Sequence, residues 1–381
     1  MDFDLTAEQQ AVRTLARDFA RSEVAPVIRH FDEAHEFPAE ILTRLGATGL
    51  LGALVPEEYG GAALDYVSYA LAVEELCRVD ASVGITMWAH NSLCTNHITL
   101  FGSKEQKARY LSPLARGETL GAWGLTEAGS GSDAAAMKSR AVREGDHFVL
   151  DGSKAFITNA GVGGVTVVMA VTDPERRQKG ISAFILERGM PGFGAGKPYR
   201  KLGLHASNTA ELHFDGVRVP AENLCGELHM GFVNTMQVLE GGRVAMAAMG
   251  VGIAQGALDE ALKYMKQRSA FGRTLAEFNG LQGMIADIGT EVEAARLLTL
   301  RAAALKDRGQ PVRAAASMAK VFASEVAMKA ATKSLQIHGG AGYITEFPIE
   351  RMFRDAKITE IGEGTSEVQR LVIARELLGF R

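Results

Sequence analysis

Apolar residues recur at helical spacing through the first third of the chain. Thr6-Ala7-Glu8-Gln9 has the form of a capping box, and Val12, Leu15, Ala16 and Phe19 follow on one helical face. Pro26 lies near the end of that helix. Further helices are predicted over 39–49, 66–78 and 104–115, with Val55-Pro56 and Gly60-Gly61 breaking the pattern between them. The period then changes. His147–Leu150 leads to a predicted turn at Asp151-Gly152, and 165–171 and 181–186 are apolar, β-rich runs. Leu212, Phe214, Val217 and Val219 form a strand pattern interrupted by a turn or bulge at Asp215-Gly216. Helical spacing returns from about residue 230. Val292, Ala295, Leu298, Ala302 and Leu305 mark one face of a long helix, and 313–337 and 367–378 give two more. The order is helices, strands, helices, which is not the alternation of a doubly wound sheet.

Length and charge narrow the reading. The 381 residues suggest two or three domains. With 41 basic and 45 acidic residues the net charge is −4, which argues against nucleic-acid binding. No stretch approaches the ~20 apolar residues of a membrane span, so membrane insertion is not expected. Met1-Asp2-Phe3-Asp4 lacks the basic and apolar regions of a leader, and the expected location is cytoplasmic. Cys77, Cys94 and Cys225 form no CxxC pair and read as reduced structural thiols. The nine histidines show no metal-like spacing, so no metal is expected. Gly250-Val251-Gly252-Ile253-Ala254-Gln255-Gly256 resembles a dinucleotide fingerprint but misses its spacing and sits in a helical run. Close helix packing is the expected reason for those small residues.

Three segments concentrate Gly, Ser, Thr and acid. Gly124–Asp133 can offer backbone N–H groups and hydroxyls to a phosphate or a flavin edge. Gln336–Tyr343, followed by Glu346, Arg351 and Asp355, places Gly339-Gly340 after a helix as an αL terminator and a point of close ligand approach. Ile361–Ser366 presents Glu363 between two glycines, with Ser366 and Gln369 spaced as a capping box. Taken singly, these are equally a surface loop, a helix C-cap and an interhelical turn.

Together they resemble the acyl-CoA dehydrogenase family. The first segment is similar to its N-terminal signature. The second is similar to its C-terminal signature, with Gln336, Gly339, Gly340, Gly342, Glu346, Arg351 and Asp355 in register. The third is similar to its Glu-Gly-Thr catalytic loop, and Lys154–Asn159 and Lys201-Leu202-Gly203 also resemble family segments. The resemblance implies a mainly α fold with a central β domain: a helical N-terminal domain (1–120), a β-barrel-like middle domain (121–229) and a C-terminal four-helix bundle (230–381). It implies non-covalent FAD, an acyl-CoA substrate, an electron-transferring flavoprotein as acceptor and a homotetramer built as a dimer of dimers. Leu125, Thr126, Phe156, Thr158, Thr365 and Glu367 match flavin contacts; the family often has Trp where this chain has Phe156. Arg268 and Phe271 match contacts made across a subunit interface, and Gln336, Gly339 and Gly340 the reciprocal ones. Ser132, Glu240, Arg243 and Gly364 match the CoA and acyl channel.

Some members carry the base immediately before that arginine, where this chain has Gly242, so the resemblance assigns the base to Glu363. The implied reaction removes the α-proton of an acyl thioester while the β-hydride passes to flavin N5. It needs donors at the enolate oxygen, expected from the Glu363 N–H and a flavin ribityl hydroxyl, and a carboxylate made more basic by burial. Glu74-Glu75, Asn91-Ser92-Leu93 and Arg370–Ala374 look most similar to the short-chain, butyryl-type branch. Gly362 replaces a frequent Tyr, which suggests tolerance of longer or branched chains. Gly84 replaces the Arg of glutaryl-type enzymes, which argues against a dicarboxylyl substrate. An oxidase or monooxygenase on the same scaffold, and a non-catalytic assembly factor, are the rival readings.

Overall fold

The structure is a computed structural model that describes residues 4–380. Met1–Phe3, part of the stretch read for a leader, lie outside the described residues. Helix α1 (Ala7–Phe19) opens with the expected capping box: the Gln9 N–H donates to Thr6 Oγ1 at 3.2 Å, and the Thr6 N–H to Gln9 Oε1 at 3.1 Å. Ala16 and Phe19 are buried, but Leu15 faces solvent, so the apolar stripe is narrower than the spacing indicated. A π turn over Ala20–Val24 leads to α2 (Ile28–Ala34), α3 (Ala39–Ala47) and α4 (Tyr66–Val79). Next come α5 (Ala81–Ala89), a π turn at His90–Thr95, α6 (Asn96–Phe101) and α7 (Lys104–Ala115). The pattern missed 81–101. Every residue of α5 is buried, and a helix covered on all sides carries no amphipathic period.

The strands are β1 (Gly121–Gly124), β2 (Arg140–Glu144), β3 (His147–Thr158), β4 (Val165–Val171), β5 (Ile181–Glu187), β6 (Phe193–Ala195) and β7 (Thr209–Pro220). They form one curled sheet in the order β1-β4-β2-β3-β7-β6, with β5 on the other edge of β4. Alternate residues of β4 serve two cores. Val165, Val167 and Met169 join the helical core, while Val168 and Ala170 join Phe148, Phe184 and Phe214 inside the sheet. A strand covered on both faces reads as a continuous apolar run. Asp151-Gly152 is not a turn. β3 continues through it, and its pairing with β7 shifts register between Leu150 and Gly152. Gly152 has φ 134°, and a Cβ there would lie 2.8 Å from Ser139 Cα, so only glycine fits where Ser139 crosses. The extra residue is on β7, where Asp215 and Gly216 together face Asp151, so that interruption is the bulge, and the Gly216 N–H donates to Asp151 Oδ1 at 2.9 Å.

The last third holds α8 (Gly231–Gln267), a short hairpin of β8 (Ser269–Ala270) and β9 (Arg273–Thr274), then α9 (Asn279–Asp307), α10 (Arg313–His338), α11 (Ile349–Ile361) and α12 (Ser366–Leu378). The glycines of α8 are there for close packing. A Cβ would meet Ala323 O at 2.9 Å from Gly250, Glu74 O at 2.4 Å from Gly252 and Arg78 O at 2.3 Å from Gly256. The periodicity did not reveal α11, because its buried face carries Arg351 and Asp355. Arg351 Nε lies 3.4 Å from Asp80 Oδ2, and Asp355 Oδ1 accepts from the Leu204 N–H at 2.5 Å. Among the described residues no helix is long and apolar enough to cross a membrane.

Candidate active site

The loop between α11 and α12 is built to turn one carboxylate inward. Glu363 and Gly364 have φ 57° and 88°, and a non-glycine residue in that region is held at a cost of about 1–3 kcal/mol. Two buried side chains hold it. Gln369 Nε2 donates to Glu363 O at 3.0 Å and to Gly364 O at 3.1 Å. Lys320 Nζ donates to Gly364 O at 2.8 Å. The expected Ser366–Gln369 capping box does not form. Thr365 is the cap, accepting from the Val368 N–H at 3.3 Å, because Gln369 is spent on the loop carbonyls.

Glu363 Oε2 is enclosed and has no hydrogen-bond partner. It fills the space left by Gly242, where a Cβ would sit 2.6 Å from Oε2 and 3.3 Å from Leu93 Cδ2. Burial pushes the Glu363 carboxyl up to about 7, against the pull of Arg243 and Lys320. Arg243 is itself buried, with Nε unpartnered. Glu240, one turn earlier, lies 3.5 Å from Arg313 Nε. Gly364 and Thr365 sit in the loop itself, and Glu367 is exposed on the first turn of α12.

A second group lies at one end of the sheet. Leu125 and Thr126 leave β1 beside β3, where the Ala155 N–H donates to Thr126 O at 2.8 Å. Phe156 has φ 61° and is 65% exposed, with its ring 5.2 Å from that of Tyr199. Thr158 ends β3, paired with Thr209. Asn159 then ties this end to its neighbours, donating to Thr86 O at 3.3 Å and Gly121 O at 3.1 Å. Thr86 is on α5, whose continuation brings Leu93 to the Gly242 position that Glu363 also borders, so this stretch links the two groups. Ser132 is exposed on the following loop.

Glu127, also in the first signature, organises that loop. Its carboxylate accepts from the Lys138 and Ser139 N–H groups at 2.6 and 2.9 Å and from Lys154 Nζ at 2.7 Å. Burial would raise its pKa, but Lys154 and these donors outweigh that and hold it below the usual range. Lys154→Met strands this carboxylate, and the expected loss is about 3–5 kcal/mol, read by denaturant unfolding.

A third group is remote. Arg268 caps the C-terminus of α8, Phe271 lies in the turn of the β8–β9 hairpin, and Phe271 is 95% exposed. Stacking of Tyr264 on His338, 4.3 Å between centroids, joins this end of α8 to Gln336, Gly339 and Gly340 at the end of α10. A rise of about 1.5 Å per residue puts Arg268 about 37 Å along α8 from Arg243. Gly339 has φ 58° and ψ −133°, not the expected αL pair. The chain passes directly into a 3₁₀ turn over Gly339–Tyr343 instead of a Schellman reversal. Sequence reasoning assigned Lys320, Gln369 and Leu93 no place at the Glu363 loop. Lys320 had a signal in the sequence: it stands among Ala316, Ala319 and Ala323, all of which are buried.

Acyl-CoA dehydrogenase family models match the N-terminal domain over residues 6–118, the middle domain over 122–217 and the C-terminal domain over 229–378. The short-chain specific acyl-CoA dehydrogenase of Clostridium acetobutylicum is 50% identical over 377 residues, covering 99% of this chain and 100% of that protein. Among solved structures, butyryl-CoA dehydrogenase from Megasphaera elsdenii superposes with a TM-score of 0.98 at 46% identity, over 99% of this chain and 100% of that one. A chain from a structure described as the electron transferring flavoprotein of Acidaminococcus fermentans gives 0.98 at 50% identity, with the same coverage. Matched along all three of its parts, the chain belongs to the acyl-CoA dehydrogenase family of FAD-dependent oxidoreductases.

Proposed function

We propose that this enzyme converts a short-chain acyl-CoA to its trans-2-enoyl-CoA, with Glu363 taking the α-proton. The observation that carries this is the enclosed, unpartnered Oε2 of Glu363, raised in basicity by burial. The backbone N–H of Glu363 would donate to the thioester oxygen as enolate charge develops. Arg243 and Glu240 would line the channel, with Gly364 beside the acyl group and Ser132 near the CoA chain.

The residues present fit FAD. The exposed ring of Phe156, held at positive φ beside Leu125, Thr126 and Thr158, offers a shelf at the edge of the site. Those residues, with Thr365 and Glu367, would hold the flavin, which supplies a two-electron acceptor for the β-hydrogen when bound. The third group lies too far along α8 and α10 to serve the same centre. Arg268, Phe271, Gln336, Gly339 and Gly340 would therefore complete the site of a neighbouring copy. The large exposure of Phe271 and Tyr343 supports such a contact and the proposed homotetramer. An electron-transferring flavoprotein as acceptor is supported by the similarity to a chain from the Acidaminococcus structure.

A side chain at Gly362 would start 2.9 Å from Met246 Cε, so a flexible thioether occupies the space beside the loop. Longer or branched acyl groups are expected to enter by moving it. Anaerobic flavin titration with straight and branched thioesters from butyryl- to dodecanoyl-CoA tests both readings. Bleaching with butyryl-CoA and a shallow decline to longer chains is expected. A sharp butyryl optimum contradicts the tolerance, and no bleaching with any of them contradicts the activity.

A further inference from the structure

We propose that Lys320 is a positioning residue for the base: its ammonium, bonded to Gly364 O, fixes the strained 363–364 turn and sets a positive charge near Glu363. The proposal rests on Glu363 being the base. Lys320 is fully buried on α10, in a stretch otherwise lined by Ala316, Ala319 and Ala323. Ser324, one turn on, donates to Lys320 O and is placed equally to Thr359 O, both at 2.7 Å. The segment carrying the lysine is thereby registered against the last turn of α11.

A donor alone does not explain a lysine here. Gln369 already donates to both loop carbonyls, and a neutral side chain could serve Gly364 O without the desolvation a buried ammonium suffers. What lysine adds is charge. The charged groups acting on it come from the loop and three helices: Glu363 in the loop, Glu360 on α11, Arg243 on α8 and Glu367 on α12. Burial pulls the Lys320 ammonium down to about 8, while Glu363 and Glu360 hold it up. Glu363 in turn faces Arg243 and Lys320, with the Tyr69 hydroxyl of α4 nearby. The base works only when ionised, so activity must rise as pH rises through its pKa of about 7. Without the Lys320 charge, burial acts with less opposition, and that rise moves to higher pH.

The test compares variants of the FAD-loaded enzyme by the pH dependence of anaerobic flavin reduction. In parallel, infrared titration of the Glu363 carboxyl is read on protein without substrate, with Glu363→Gln as blank. Lys320→Gln keeps a donor and loses the charge. Its acid limb and its carboxyl titration are expected to move up by roughly one pH unit, the low end for a nearby opposite charge. Lys320→Arg is expected to leave both in place. Gln369→Leu, which loosens the turn without changing charge, is expected to slow reduction at every pH with the limb unmoved. Should Lys320→Gln load flavin poorly, the infrared titration still decides. An unmoved limb and titration in Lys320→Gln, with Glu363→Gln inactive, overturns the role of Lys320 alone. A fully active Glu363→Gln overturns the base assignment beneath it.

Discussion

Glu363→Gln is expected to bind flavin and acyl-CoA as the parent does and to reduce the flavin at least about a thousand-fold more slowly. The amide matches the carboxylate in size and leaves the 363–364 backbone, and so the N–H for the thioester oxygen, in place. It removes only the ability to accept a proton. Folding should not suffer, because Oε2 has no partner to lose and burial disfavours its charged form. Flavin content, binding of a non-oxidisable thioether and stopped-flow bleaching with butyryl-CoA separate these effects. A loss below tenfold argues against Glu363 as the base.

Gly242→Ala is expected to produce the second-largest effect and to do so without touching the base chemically. The added methyl would lie 2.6 Å from Glu363 Oε2 and 3.1 Å from its carboxyl carbon. The carboxylate must move, and a displacement of about 1 Å at a reacting group costs on the order of a hundredfold. The sign on stability is opposite, since alanine in a helix interior is favoured over glycine by about 1 kcal/mol. A variant with lower kcat, little change in KM and an unchanged or raised Tm is the expected outcome. A fall in kcat that merely tracks lost stability would point to disrupted packing of α8.

The helix-strand-helix order and most long elements were legible because α1, α9 and β7 keep one face apolar and β4 and β5 read as unbroken apolar runs. Helices buried on all sides or carrying buried ions were not. α5 has no polar face, and α11 hides Arg351 and Asp355 in its contact with Asp80 and Leu204. At the candidate site, Glu363 was singled out by its flanking glycines and by the family resemblance. Its surroundings were not visible, because they come from distant elements. Leu93 arrives on a π turn, Gly242 on α8 and Lys320 on α10. Gln369 looked like half of a capping box, and only the positive φ of Glu363 explains why it bonds the loop carbonyls instead. The Glu127–Lys154 pair shows the converse: a signature acid whose position is accounted for by holding its own loop together.

Proton transfer at the α-carbon can be isolated from oxidation with an acyl-CoA whose β-carbon is replaced by sulfur, so that no β-hydrogen is available. Proton NMR in D2O would follow loss of the α-hydrogen signal of this thioester in the presence of enzyme. The account predicts exchange with the unmodified enzyme, and none above background with Glu363→Gln although the thioester still binds. Exchange at the same rate in both would place the base on another residue.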